Sequence, residues 1–304
     1  MQHVSLLISR YTVTMEITWF GTASIRIRIQ ELSLLFDPFA PLPGASFAVP
    51  HEHFLPAPFI FITHGHFDHV HSVPHLVQLG AGKVFATKSP HEVLAGQGVP
   101  PKSLHCVCPG DSLRFLAASG SLVGHIAQGL PDSASSTAPN TVSPDRTSDL
   151  VTVTVRRSRH IRFDVPYVLS TLFNARMLRY LNNTKTMIAA IRTFRENNET
   201  VVFEITHNNE TVIVLGSLAL AENEPYTQGP DLLVMPYQGR SHLEPIALSI
   251  VERLKPRLVL LDHFDDSFPP ISRDIDTASF LSAMRELHPG IQVIVPRREI
   301  THHI

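Results

Sequence analysis

The run Thr63-His64-Gly65-His66-Phe67-Asp68-His69 places three histidines and an aspartate within six residues, directly after the apolar segment Phe59–Ile62. A short continuous apolar run of this kind reads as a strand buried on both faces. α/β proteins place ligands where such strands end. On an extended backbone His64 and His66, two residues apart, point to the same side. Two imidazoles can then meet one metal ion at Zn–N distances of ~2.0–2.1 Å. Gly65 is expected to let the backbone pass close beneath that ion. Asp68 and His69 lie beyond the turn and face a second position beside the first. Chance would produce such a pattern in a chain of this composition with a probability on the order of 0.3%.

The rest of the chain bounds what this cluster can serve. The 304 residues are 43% apolar and only 17% charged, so the chain is not mainly disordered. With 25 Lys+Arg against 27 Asp+Glu the net charge is −2, which argues against a long polyanion such as nucleic acid as partner. Apolar runs such as Val212–Leu215 fall far short of the ~20 residues that span a bilayer. Met1–Met15 lacks the basic start and long apolar block of a secretory signal. Two cysteines, Cys106 and Cys108, cannot supply a disulfide framework. A reducing cytoplasm is therefore the expected compartment, and Cys106-Val107-Cys108, with the wrong spacing for a zinc knuckle, is expected to pack.

Residues 1–14 read as a loose leader. Short strands are expected at 16–19, 24–29 and 33–36, the second showing Ile25, Ile27 and Ile29 alternating with Arg26, Arg28 and Gln30. The prolines of 38–58 make an irregular loop. A helix at 72–79 has Pro74 in its first turn and Gly80 just past its end, and a strand returns at 83–87. Residues 131–149, rich in Ser, Thr and Pro, read as a mobile insertion. A strand at 151–155 precedes two helices, 172–181 and 187–194, joined by Asn182–Lys185 and placed as a lid over the site. Strands at 201–205, 211–215 and 232–235, a helix at 243–254, a strand at 258–261, a helix at 278–287 and a strand at 292–295 complete the order. His302 and His303 read as a frayed tail. One domain spanning 1–304 is expected, with two sheets packed together and covered by helices.

Through His64-x-His66-x-Asp68-His69 the chain resembles the metallo-β-lactamase superfamily of metal-dependent hydrolases. It looks closest to the branch of ascorbate-6-phosphate lactonase-like proteins, with an opening strand like Ile17-Thr18-Trp19-Phe20-Gly21-Thr22-Ala23-Ser24 and an Asp-Pro like Asp37-Pro38. The resemblance covers most of the chain from Met15 onward, apart from 131–149, and implies a four-layer αββα sandwich. It implies a third histidine for the first ion after a mid-chain strand. His160 fits, with His125 as a competitor that has no strand before it. It also implies a histidine ending a strand near the C-terminus, which His263 matches in Val259-Leu260-Leu261-Asp262-His263. The implied ligand set is thus His64, His66 and His160 for one divalent ion, and Asp68, His69 and His263 for a second. Asp68 would also orient the attacking nucleophile and pass on its proton. Asp37 would accept a proton from a ligand histidine and set its tautomer, a simple turn aspartate being the alternative. The family's bridging aspartate is absent: Val214-Leu215-Gly216 leads into Ser217, which puts the second ion in question. Asp265 or Asp266 is the available substitute.

The ligand set has imidazole and carboxylate but no thiolate, which suits zinc first and manganese or iron next. Arg156, Arg157, Arg159 and Arg162 surround His160. They read first as a charged edge strand and second as an anion-binding mouth, in which Arg159 and Arg162 bind substrate. Tyr237 and Arg240, in Tyr237-Gln238-Gly239-Arg240, are candidates for the rim. His51 and His53 read as rim or solvent residues, and His71 and His75 as packing or solvent-facing. The expected activity is hydrolysis of a small, anionic carboxyl ester or lactone, with no membrane partner and room for a homo-oligomer. Two rival readings stand beside it: a phosphodiesterase or nuclease of the same fold, and a metal-binding protein that has lost catalysis, which Ser217 favours.

Overall fold

The computed structural model describes residues 15–127 and 149–304. The expected leader lies outside the described residues, as does the expected insertion except for Asp149. Six strands open the chain: β1 (Glu16–Gly21), β2 (Ser24–Ile29), β3 (Leu32–Phe36), β4 (Phe59–Phe61), β5 (Lys83–Ala86) and β6 (Leu104–Cys106). Eight more form a second sheet: β7 (Ser112–Leu116), β8 (Ser121–Ile126), β9 (Leu150–Arg157), β10 (Val201–His207), β11 (Glu210–Leu215), β12 (Leu232–Pro236), β13 (Leu258–Asp262) and β14 (Gln292–Ile294). The last strand, β15 (Thr301–His303), returns to the first sheet beside β1. The orders are β15-β1-β2-β3-β4-β5-β6 and β14-β13-β12-β11-β10-β9-β7-β8. β3 to β6 run parallel, as do β11 to β14.

Side-chain alternation sorts the strands into layers. In β2 Ile25, Ile27 and Ile29 face the core between the sheets, while Arg26 and Arg28 face outward. In β4 Phe59 and Phe61 face that central core, and Ile60 with Ile62 face the outer helices α1 (Phe67–Val70), α2 (Val73–Gln78) and α3 (Lys88–Gly96). β11 repeats the pattern, with Val212 and Val214 inward and Ile213 and Leu215 outward. The outward side is covered by α7 (Glu244–Leu254) and α8 (Ala278–Leu287). Central strands buried on both faces have no polar side, which is why they read as unbroken apolar runs. The result is the expected four-layer αββα sandwich.

Between β9 and β10 lie α4 (Val165–Leu172), α5 (Arg176–Arg179) and α6 (Leu181–Thr193). This differs from the two helices expected at 172–181 and 187–194. The Asp164 side chain caps α4 by accepting from Tyr167 N at 2.9 Å, with Pro166 in the first turn. Asn182–Lys185, expected as a linker, lies inside α6. There Asn183 donates to the carbonyls of Pro43 at 2.7 Å and Pro269 at 2.9 Å. Those distant partners make a polar linker-like run helical.

Two further expectations are corrected. The tail is not frayed: His302 pairs with Ile17 and His303 with Glu16 across β1 and β15, which covers an edge that would otherwise expose unpaired amides. Cys106 and Cys108 are exposed and do not pack. Gly65 also sits against the backbone of Arg195, whose carbonyl a Cβ there would strike. Strands β6, β7 and β8 and helices α1 and α3 were not anticipated, being short or weakly patterned.

Candidate metal centre

The candidate residues reach one rim of the sandwich because several strands end there. β3 ends at Asp37, β4 leads into Thr63 and His64, β11 into Gly216 and Ser217, and β13 into His263. Asp37 and His263 sit at φ +43° and +55°, a left-handed backbone that costs energy for a residue with a Cβ. Both are held there by hydrogen bonds. Ser24 Oγ donates to the Asp37 carbonyl at 2.9 Å, and His263 N donates to Thr22 O at 2.8 Å. Gly216 lies against Thr63 so closely that a Cβ would collide with the threonine side chain, so only glycine lets β11 end beside β4.

Two groups of donor atoms result. The side-chain nitrogens of His64, His66 and His160 lie within 4.8 Å of one another, and so do the donor atoms of Asp68, His69 and His263. The groups adjoin, with the His64 and His69 rings 3.9 Å apart between centroids. These are the six residues expected as ligands, drawn from positions up to 199 residues apart in the chain (64 to 263).

The hydrogen bonds behind the rings assign their tautomers. His160 Nδ1–H donates to Ile161 O at 2.7 Å, and His263 Nδ1–H donates to Gln238 Oε1 at 3.0 Å. His69 Nδ1 lies 2.9 Å from Asp37 Oδ2. The Thr63 hydroxyl donates to Asp37 Oδ2 at 2.6 Å and accepts from His64 Nδ1–H at 3.1 Å. With these contacts at Nδ1, the four rings turn Nε2 toward the centre, the atom that binds a metal in its unprotonated form. His64 Nε2 faces His66 Nδ1 at 3.1 Å, and His263 Nε2 faces Asp68 Oδ2 at 2.9 Å. Lone pairs converging on one another with so little between them fit a cation.

Charge and burial act in the same sense. Burial first, then the neighbouring His69, holds His64 well below the usual imidazole range. His66 is lowered to about 4 by burial and by His160. His160 is lowered by burial, which outweighs its bond to Ile161. Burial alone would raise the Asp68 carboxyl, but His69 and His263 hold it well below the usual carboxylate range. Burial would lower His263, yet the bond and charge of Asp68 hold it up.

The remaining candidates are placed elsewhere. Ser217 lines the cavity at the expected position, its Oγ accepting from Ile161 N at 2.9 Å, so it positions the turn that carries His160. Asp265 is no substitute ligand: its carboxylate accepts from Thr22 N at 3.0 Å and lies 3.4 Å from Arg298. Asp266 pairs with Arg176. His125 bonds Asp111 at 3.1 Å, away from both groups. None of the four proposed substrate-binding residues lines the cavity. Arg159 pairs with Glu222 and Arg240 with Asp164. Arg162 is exposed. Tyr237 is buried against Phe280. Arg159 and Arg240 are thus engaged by acidic side chains outside the cavity.

Sequence reasoning missed four residues. Arg192 and Arg195 line the cavity from α6 and the residues after it. Glu196, fixed by Thr200 Oγ1 at 2.7 Å, lies close enough to His66 and His160 to influence both. Asp262 is fully buried with both carboxylate oxygens unpartnered among the described residues. Burial, reinforced by Asp37 and Asp265, pushes its carboxyl well above the usual range. Its position before His263 was the only available signal.

No known family's sequence profile matches the chain, and no curated protein matches it. Solved structures do. A metallo hydrolase, Igni18, from the hyperthermophilic archaeon Ignicoccus hospitalis is 16% identical, with a TM-score of 0.56 over 96% of this chain and 98% of that one. An isothiocyanate hydrolase from Delia radicum gut bacteria is 13% identical, with a TM-score of 0.53 over 95% and 98%. The metallo-β-lactamase fold protein YhfI from Bacillus subtilis is 13% identical, with a TM-score of 0.53 over 96% and 99%. The chain has the metallo-β-lactamase fold. Among the described residues no helix is long and apolar enough to cross a membrane.

Proposed function

We propose that this metallo-β-lactamase-fold chain is a metal-dependent hydrolase of carboxyl esters, lactones among them. The observation that carries the reading is the pair of adjoining donor groups, each offering three ligand atoms whose lone pairs converge. His64, His66 and His160 would hold one divalent cation and Asp68, His69 and His263 a second, zinc first on donor type. Such an ion supplies a nucleophile at neutral pH and polarises the carbonyl to be attacked.

The chain's own groups do the rest. Asp68, held as a carboxylate by His69 and His263, orients the attacking water and carries its proton to the leaving alkoxide. Asp37 bonds His69 directly and His64 through Thr63, so one buried carboxylate aligns a ligand of each group. Ser217, where the superfamily pattern has an aspartate, leaves one anionic charge fewer between the two positions. The few cations of the cavity favour a small carboxyl substrate over a nucleic acid.

Metal analysis of purified protein tests the reading, followed by hydrolysis assays on ester, thioester and phosphodiester probes. Changing His64 and His66 together to Ala should remove the metal and the esterase activity while leaving the thermal unfolding transition in place. Stoichiometric metal in the double variant overturns the ligand assignment.

A further inference from the structure

The two donor groups open onto a cavity of about 700 Å³ whose wall is mostly hydrocarbon. Phe163, 5.4 Å from His160 between ring centroids, stacks on Tyr167 at 5.5 Å. On the opposite side Phe268 lies 6.2 Å from His263. Val168, Met187 and Ile271 extend this lining. Several polar atoms of the wall are already engaged with one another. The Tyr167 hydroxyl bonds Gln238, Gln238 accepts from His263, and the Thr171 hydroxyl donates to the Tyr167 carbonyl. A hydroxylated substrate would find few free partners there, and unpaired polar groups are costly to bury.

Besides the carboxylates of Asp68 and Glu196 at the donor groups, two cations reach the cavity. Arg192 and Arg195 line the cavity, and neither side chain makes an ion pair among the described residues. Arg195 follows α6, and its backbone carbonyl lies against Gly65, between His64 and His66, so the segment that carries this cation runs beside the donor groups, and the hydrocarbon lining continues from there. This is a polar, carboxyl-seeking end joined to an apolar cleft.

Resting on the hydrolase reading, we propose that the substrate is an amphiphilic carboxylic ester whose acyl group is a hydrocarbon of roughly six to twelve carbons, seated against Phe163, Tyr167, Val168, Met187, Phe268 and Ile271, with its carboxyl carbon at the donor groups beside Arg192 and Arg195. The acyl–oxygen bond breaks, water supplies the new oxygen on the acyl carbon, and its proton passes to the departing alkoxide. The products are a carboxylate, whose charge Arg195 faces, and an alcohol.

The product acid is a direct probe and needs no metal. Sodium butyrate, hexanoate, octanoate and decanoate are titrated calorimetrically into the metal-free protein. Affinity should rise about three- to fourfold per added methylene until the cleft is filled. Val168→Glu, which places a charge in the wall, should weaken octanoate at least about tenfold. Phe173→Glu, at a residue 82% exposed and outside the cavity, should not. Arg195→Gln should weaken all four acids by a similar factor without changing the dependence on length. Affinity independent of chain length in the unmodified protein overturns the assignment, and so does octanoate binding that Phe173→Glu abolishes and Val168→Glu spares. Length-dependent binding with no hydrolysis of 4-nitrophenyl octanoate by zinc-, manganese- or iron-loaded protein refutes the hydrolase reading and leaves the cavity assignment standing.

Discussion

Replacing Asp37 by Asn changes one atom in a buried side chain and should unbalance both donor groups unequally. The carboxylate is 1% exposed, accepts hydrogen bonds from Thr63 N at 2.8 Å and from the Thr63 hydroxyl at 2.6 Å, and lies 2.9 Å from His69 Nδ1 as an ion-pair partner. An amide offers one acceptor oxygen, so in either orientation its NH₂ faces at least one donor. The simplest relief moves the His69 proton from Nδ1 to Nε2, which removes the lone pair aimed at Asp68 and His263. A hydrogen bond to a charged group contributes about 1.5–3 kcal/mol, which is a factor of roughly ten to a hundred and fifty in an equilibrium constant. Loss of a partner behind a metal-ligating histidine costs about 10–100-fold in affinity. The two estimates agree, so Asp37→Asn should weaken metal binding at Asp68, His69 and His263 by about 10–100-fold. His64 feels Asp37 only through the Thr63 hydroxyl, so binding at His64, His66 and His160 should fall by less, about tenfold at most. Zinc titration in competition with a chelator of known affinity resolves the two steps, and thermal unfolding of the metal-free variant confirms that it is folded. An unchanged affinity at the weaker step, or an equal loss at both, refutes the role given to Asp37.

Two other outcomes follow from the same geometry. With Ser217 in place of a carboxylate, the unmodified protein should hold one ion through dialysis and a second only weakly. Ser217→Asp should tighten the second, and two ions held equally in both proteins would contradict this. In the metal-free protein stability should rise with pH between about 4 and 6.5. His66 is neutral in the folded chain down to about 4, whereas the unfolded chain binds that proton below ~6.5, so the unfolded state carries more protons in this window. A shift of that size amounts to roughly 3 kcal/mol for His66, and His64 and His160 shift in the same direction. His263, raised by Asp68, offsets part of this, because its contribution is lost as pH rises through its folded value. Urea midpoints that stay flat or fall from pH 4.5 to 7 would refute the burial of neutral imidazoles.

The sequence alone determined the layers and four of the six residues of the centre. Apolar runs such as Phe59–Ile62 and Val212–Leu215 have no polar alternative, so their burial on both faces follows from composition. His64, His66, Asp68 and His69 fall in one run, and local backbone geometry brings their side chains together. His160 and His263 were reached through a family resemblance, since spacing cannot say which distant strand ends beside which. Only the tertiary structure decided the cavity. Arg159, Arg162 and Arg240 are cations beside candidate residues in the sequence, yet Arg159 and Arg240 pair with acidic side chains outside the cavity and Arg162 is exposed. Arg192 and Arg195, unremarkable at the end of a helix, are the ones that line the site. Asn182–Lys185 became helix because the carbonyls of Pro43 and Pro269 lie within reach of Asn183. The tail became a strand because β1 had an open edge. Local propensity acts over a few residues, whereas these choices depend on which unsatisfied group another part of the chain brings near, and that is known only once the sheets have packed.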